Sequence, residues 1–145
     1  CVERCRVIGF EALSRIGAEP LRAPDRWFID AERAGLGVPF ETLALRRALR
    51  GLAHLPDDLF LTLNVSPNML LHGDMEDVLG DSPLERIVLE VTEHSIIEHY
   101  HELARAIDPL RSRGLRPGTY LLELRAGERG TDLGRLRVTR TVRVE

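Results

Sequence analysis

The sequence has 145 residues, 43% hydrophobic and 30% charged, with 20 Lys plus Arg against 23 Asp plus Glu and a formal net charge of −3. One globular domain is the default at that length, with about two thirds of the unfolded surface buried on folding. No basic stripe with interleaved aromatics marks a nucleic-acid polymer as partner, and no apolar run approaches the roughly 18 residues of a membrane span.

The chain opens without a signal peptide, and with Cys in place of Met, which reads as a fragment or a processed form. Cys1 and Cys5 are too few for a disulfide framework and lack the second pair of a zinc site. A reducing, cytoplasmic setting is expected.

Residues 7–16 read as the first strand. A period of two sends Glu11, Leu13 and Arg15 to one face and Phe10, Ala12 and Ser14 to the other. An acid and a guanidinium four residues apart do not belong in a core, because burying either one unpaired costs several kcal/mol. They form either a diagonal ion pair on a solvent-facing edge or a site that meets a metal and a phosphate.

A loop over 17–24 leads to a helix that starts at Asp25 or at the Pro24-Asp25 pair. Trp27, Phe28, Ala31 and Leu36 recur in it at helical spacing, and Gly35 and Gly37 end it. Pro39 opens a second helix with Phe40, Leu43, Ala44, Arg47 and Leu52 as its stripe. Two helices before the next strand point to an α/β layer.

Pro56-Asp57-Asp58 is a turn, and the apolar run 59–65 reads as a strand buried on both faces. Asn64 and Ser66 stand at its carboxyl end, where α/β folds place ligands, although Asn64 could equally shape the turn into Ser66-Pro67. Asp74, Glu76 and Asp77 read as turn and helix-start charges. A third strand covers 87–91, with Glu90 near its end, a poor place for a carboxylate unless a cation meets it.

Residues 96–113 then read as a helix with Tyr100, Leu103, Ile107 and Leu110 inward, a kink or break at Pro109 and a C-cap at Gly114. His94, Glu98 and His101 share a face of it and offer a second, less favoured metal reading. The expected core is Trp27, Phe28, Phe40, Leu43, Leu61, Leu63, Val88, Leu89 and Leu103.

Glu11-Ala12-Leu13 within Gly9-Phe10-Glu11-Ala12-Leu13-Ser14-Arg15, then Asn64-Val65-Ser66, then Leu89-Glu90-Val91-Thr92-Glu93 resemble, in that order, the first three motifs of the EAL-domain family. Pro24-Asp25-Arg26-Trp27-Phe28 and Ala31-Glu32 with Gly35-Leu36 are similar to that family's first helix. The resemblance implies a bacterial phosphodiesterase that opens cyclic diguanylate (c-di-GMP) to the linear dinucleotide with Mg²⁺ or Mn²⁺. It also implies a modified (β/α)₈ TIM-type barrel whose first strand runs antiparallel. Carried over by motif, it makes Glu11, Asn64 and Glu90 metal ligands, sets Leu13 against a guanine and puts Arg15 on a phosphate.

After Leu115 the sequence departs. Where the family continues into an Asp-Asp-Phe-Gly strand, this chain reads Arg116-Pro117-Gly118-Thr119-Tyr120, and the tail holds no lysine. Residues 118–125 and 136–144 read instead as two strands of a hairpin, which resembles the closing hairpin of an immunoglobulin-like sandwich.

The expected fold is therefore α/β: a partial TIM-type barrel of the EAL family over 1–115, truncated, with a carboxyl-terminal β-hairpin over 116–145. A half-barrel leaves a strand edge and an apolar face to cover, by the hairpin or by a second copy in a homodimer. Two functions stay open. One is a c-di-GMP phosphodiesterase domain, of which this is the amino-terminal part, catalytically incompetent alone or completed by another chain; the other is a non-catalytic module for the cyclic dinucleotide or for protein contact.

Overall fold

The computed structural model describes residues 7–91, 100–115, 120–123 and 139–142. Three short strands, β1 (Gly9–Ala12), β2 (Phe60–Asn64) and β3 (Ile87–Glu90), form a parallel sheet in the order β1-β2-β3. Phe10 pairs with Leu61 and Ala12 with Leu63, while Leu61 pairs with Ile87 and Asn64 with Glu90. The antiparallel first strand implied by the family resemblance is not what β1 is: it runs parallel to β2. Connections with helical segments between β1 and β2 and between β2 and β3 permit this, since parallel neighbours need long crossovers.

Helices α1 (Pro24–Arg33) and α2 (Gly37–Leu52) fill the first crossover. Pro24 opens α1, where its fixed φ suits a helix and its missing N–H is not needed. Gly35 takes φ +72, which lets the chain reverse into α2. The two helices meet edge-to-face through Phe28 and Phe40, with ring centroids 5.0 Å apart. The guanidinium of Arg22 lies 3.9 Å from the Trp27 ring centroid and also pairs with Asp30 at 2.6 Å.

Two short helices that the sequence pattern did not resolve, α3 (Pro67–His72) and α4 (Met75–Leu79), occupy the second crossover. Asp74 caps α4 by accepting from the Asp77 N–H at 2.9 Å, the helix-start role expected of it. Arg46 of α2 pairs with Asp77 of α4. A 3-10 turn over Leu84–Arg86 leads into β3.

Helix α5 (Tyr100–Ser112) follows with Pro109 inside it, and Gly114 at φ +109 ends it as a C-cap. Further on, β4 (Tyr120–Glu123) and β5 (Thr139–Val142) pair antiparallel, Tyr120 opposite Val142 and Glu123 opposite Thr139. The connection between them lies outside the described residues.

The sheet has two unlike faces. Leu61, Leu63, Ile87 and Leu89 are buried on one, in a core with Leu45, Leu52, Val65, Met69, Leu79, Leu103 and Leu110. Phe60, Thr62, Asn64, Val88 and Glu90 fall on the other, where only Thr62 is buried. Strand β2 is therefore packed against the helix-covered core on one side, and its other side is less fully buried. Val88 is half-buried for that reason, not part of the core.

Trp27, Phe28 and Phe40 are likewise half-buried and outside the buried core, Phe28 and Phe40 against each other between α1 and α2 and Trp27 against Arg22. The stripe expected on α2 is rotated. Leu43 is 63% exposed and Arg47 is exposed, whereas Glu41, Leu45 and Leu52 are buried. Leu43 lies about 200° around the helix from Glu41, so the face that meets the sheet cannot include both.

Candidate functional site

The site begins with the strand ends. Strands β1, β2 and β3 stop at Ala12, Asn64 and Glu90, so Glu11, Asn64 and Glu90 stand together at the carboxyl end of a parallel sheet. Parallel strands converge their carboxyl-end dipoles and loops there, which is why ligands bind at that end. Register does the rest: Asn64 is the ladder partner of Glu90, and Glu11 is the partner of Thr62, two residues before Asn64 on the same face.

The Asn64 carboxamide crosses from β2 to β1, its Nδ2 donating to Glu11 Oε1 at 2.8 Å. Asn64 therefore bridges strands instead of shaping the turn. The turn is shaped by Ser66, whose Oγ accepts the Met69 N–H at 3.0 Å and caps α3.

The electrostatics of the three groups point one way. Partial burial raises the Glu90 carboxyl above the ordinary carboxylate range, and the neighbouring Glu11 charge raises it further. Two carboxylates close enough for one to raise the other, with one amide bonded to Glu11, concentrate negative charge at this strand end. Its donors are hard oxygens, the kind that Mg²⁺ and Mn²⁺ take.

Among the described residues no cluster of three or more His, Cys, Asp or Glu is placed to hold a metal ion, so a cation here needs the Asn64 oxygen as its third donor. The alternative set of His94, Glu98 and His101 falls mostly outside the described residues.

Leu13 and Arg15 follow β1 in extended chain. The alternation expected for 11–16 persists past the strand: Glu11, Leu13 and Arg15 are exposed, while Ala12, Ser14 and Ile16 are half-buried. Leu13 is 57% exposed. Arg15 folds back, Nη1 donating to the Ser14 carbonyl at 2.9 Å. Both residues line a cleft of about 640 Å³ that runs between β1 and the α1–α2 pair and reaches Asn64, Ser66 and Asn68. Asn68 Nδ2 closes one side by donating to Glu32 Oε1 at 3.1 Å.

The profile of the EAL domain matches residues 1–116. The chain belongs to the EAL-domain family. Comparison with curated proteins gives no match. EAL domains are a metal-dependent c-di-GMP phosphodiesterase family built on a TIM-type barrel, and the parallel β1-β2-β3 sheet is consistent with part of such a barrel. Within the described residues no helix is long and apolar enough to cross a membrane.

Sequence reasoning missed one residue that holds this EAL domain's strand-end loop. Glu41, buried on α2, accepts from the Ser66 N–H and from the Ser66 hydroxyl, both at 2.7 Å. The signal was present: 41, 45, 48 and 52 recur at helical spacing, and a carboxylate on an otherwise apolar face asks for a partner.

Proposed function

We propose that this EAL domain holds one divalent cation, Mg²⁺ or Mn²⁺, through Glu11, Asn64 and Glu90, and binds a cyclic dinucleotide beside it without hydrolysing it. The observation that carries the reading is the meeting of those three oxygen-bearing side chains at one end of a parallel sheet, with the Glu90 carboxyl raised by burial and by the charge of Glu11. Leu13 presents an apolar surface for a base, and Arg15 a guanidinium for a phosphate, on the cleft that opens from the same strand end.

A divalent cation at this place supplies charge neutralisation of a phosphodiester and an acidified water. The chain's own residues would orient the ligand: Glu11, Asn64 and Glu90 would hold the cation, the Asn64 amide couples β2 to β1, and Arg15 would meet a phosphate. Hydrolysis needs more than this. In-line displacement requires neutralisation at both the entering and leaving oxygens, commonly by two metals. After Leu115 this sequence has Arg116-Pro117-Gly118-Thr119 where the family pattern has paired aspartates. Each missing electrostatic element costs on the order of 10² to 10³ in rate.

The test is incubation of the chain with c-di-GMP and Mn²⁺, followed by separation of cyclic and linear dinucleotide, with calorimetry for binding. Binding without linear product is expected. Metal-dependent linear product that disappears in Glu11→Ala would refute the non-hydrolysing reading, and absence of both binding and product would refute the dinucleotide reading altogether.

A further inference from the structure

We infer that Glu41 is a positioning residue for the strand-end site, acting through Ser66 to set where the Asn64 carboxamide points; the inference rests on the cation reading of Glu11, Asn64 and Glu90.

The parallel ladder fixes Asn64 only from one side. Its last bond runs from the Val65 N–H to the Glu90 carbonyl at 2.8 Å, and β2 ends there. The backbone beyond Val65 needs another anchor, or the χ1 frame of Asn64 rotates with it. Glu41 is that anchor. Its carboxylate sits 9% exposed in the layer between α2 and the sheet and accepts both the backbone N–H and the hydroxyl of Ser66 at 2.7 Å.

These are charge-assisted bonds, short and roughly twice as strong as neutral ones. The Ser66 hydroxyl, with its proton committed to Glu41, presents its lone pair to the Met69 N–H and caps α3. The two residues on either side of Val65 are thereby held by different elements, Asn64 through β1 and β3 and Ser66 through α2 and α3.

A helix cap alone would not require this. Serine caps a helix through its own oxygen, and a buried carboxylate costs several kcal/mol to desolvate unless it is hydrogen-bonded. A hydrophobic residue at position 41 would leave the cap intact and remove that cost. What only the carboxylate supplies is a fixed acceptor for the Ser66 N–H, two residues from the Asn64 side chain. Outer partners that orient a metal's ligands characteristically change metal affinity by about 10-fold to 100-fold when removed.

The experiment titrates Mn²⁺ calorimetrically into the full chain, Glu41→Gln, Glu41→Ala and Leu52→Ala, with melting temperatures for each and ¹⁵N spectra of the Asn64 side-chain amide recorded without metal. Leu52 is buried in the same helix away from Ser66, so Leu52→Ala should lower the melting temperature and leave Mn²⁺ affinity within about twofold of the parent. Glu41→Ala should weaken Mn²⁺ binding by about tenfold or more. Glu41→Gln keeps the volume but sets its NH₂ against one of the two Ser66 donors, so its affinity should fall between, with a shifted Asn64 amide resonance. If Glu41→Ala does not fold, Glu41→Gln carries the measurement.

A folded Glu41→Gln with parental Mn²⁺ affinity and an unmoved Asn64 amide would overturn the inference. If the parent takes up no Mn²⁺, the cation reading fails by itself; the Asn64 amide resonance then decides the positioning claim, and an unmoved signal overturns it.

Discussion

Removing Arg86 should destabilise the domain and loosen the register on which the site depends. Its guanidinium is 15% exposed and ties the 3-10 turn before β3 to the loop before β2. Nε donates to the Leu59 carbonyl at 3.0 Å, and Nη2 to the carbonyls of Leu55 at 3.1 Å and Pro56 at 2.7 Å. Nη1 reaches Asp57 at 3.2 Å, but that carboxylate is fully exposed and its pairing should contribute nothing measurable.

The Leu59 and Leu55 bonds lie in partly buried surroundings, and water replaces them poorly. With a charged donor, each is worth about 1.5 kcal/mol at the lower end of its range, and the exposed Pro56 bond much less. Arg86→Ala should therefore cost about 3 kcal/mol, or about 10 °C in melting temperature for a domain of this size. Arg86→Lys should recover less than half, because an ammonium cannot fork across three carbonyls.

Thermal unfolding followed by circular dichroism measures both variants. A melting temperature for Arg86→Ala within about 2 °C of the parent, or full recovery by lysine, would refute the reasoning.

Glu90→Gln should abolish the calorimetric Mn²⁺ signal, and equal heats from both proteins would remove Glu90 from the site. Because the folded state raises the Glu90 pKa, the native protein binds the proton more tightly than the unfolded chain. The penalty for the ionised carboxylate is thus full above the raised value and disappears below the ordinary one. The melting temperature of the parent should accordingly gain on that of Glu90→Gln as pH falls through that window, and a pH-independent difference would contradict it.

Gly9→Ala places a Cβ 2.5 Å from the Phe60 ring, so β1 must shift from β2 or the ring must turn. A loss of about 1 to 3 kcal/mol is expected, together with weaker Mn²⁺ binding as Glu11 moves from Asn64. Arg15→Ala should weaken c-di-GMP binding in calorimetry by about tenfold while leaving Mn²⁺ binding unchanged, since Arg15 lines the cleft and not the acidic pair.

Much of this protein is written locally. The apolar runs of β2 and β3, the Pro24 start of α1, the Gly114 stop after α5 and the alternation from Glu11 to Ile16 all follow from propensity and period, which depend on near neighbours in sequence. The strand-end positions of Glu11, Asn64 and Glu90 were legible for the same reason: each is a polar group near the end of an apolar strand.

What only the tertiary structure decided is which distant groups meet. The parallel direction of β1, the ladder pairing of Asn64 with Glu90 and the Asn64 bond to Glu11 are long-range facts that no window of sequence contains. The phase of α2 was settled the same way. Leu43 and Glu41 compete for one inward face, and Glu41 is inward because two Ser66 donors, 25 positions away, offset its desolvation, while Leu43 is left 63% exposed.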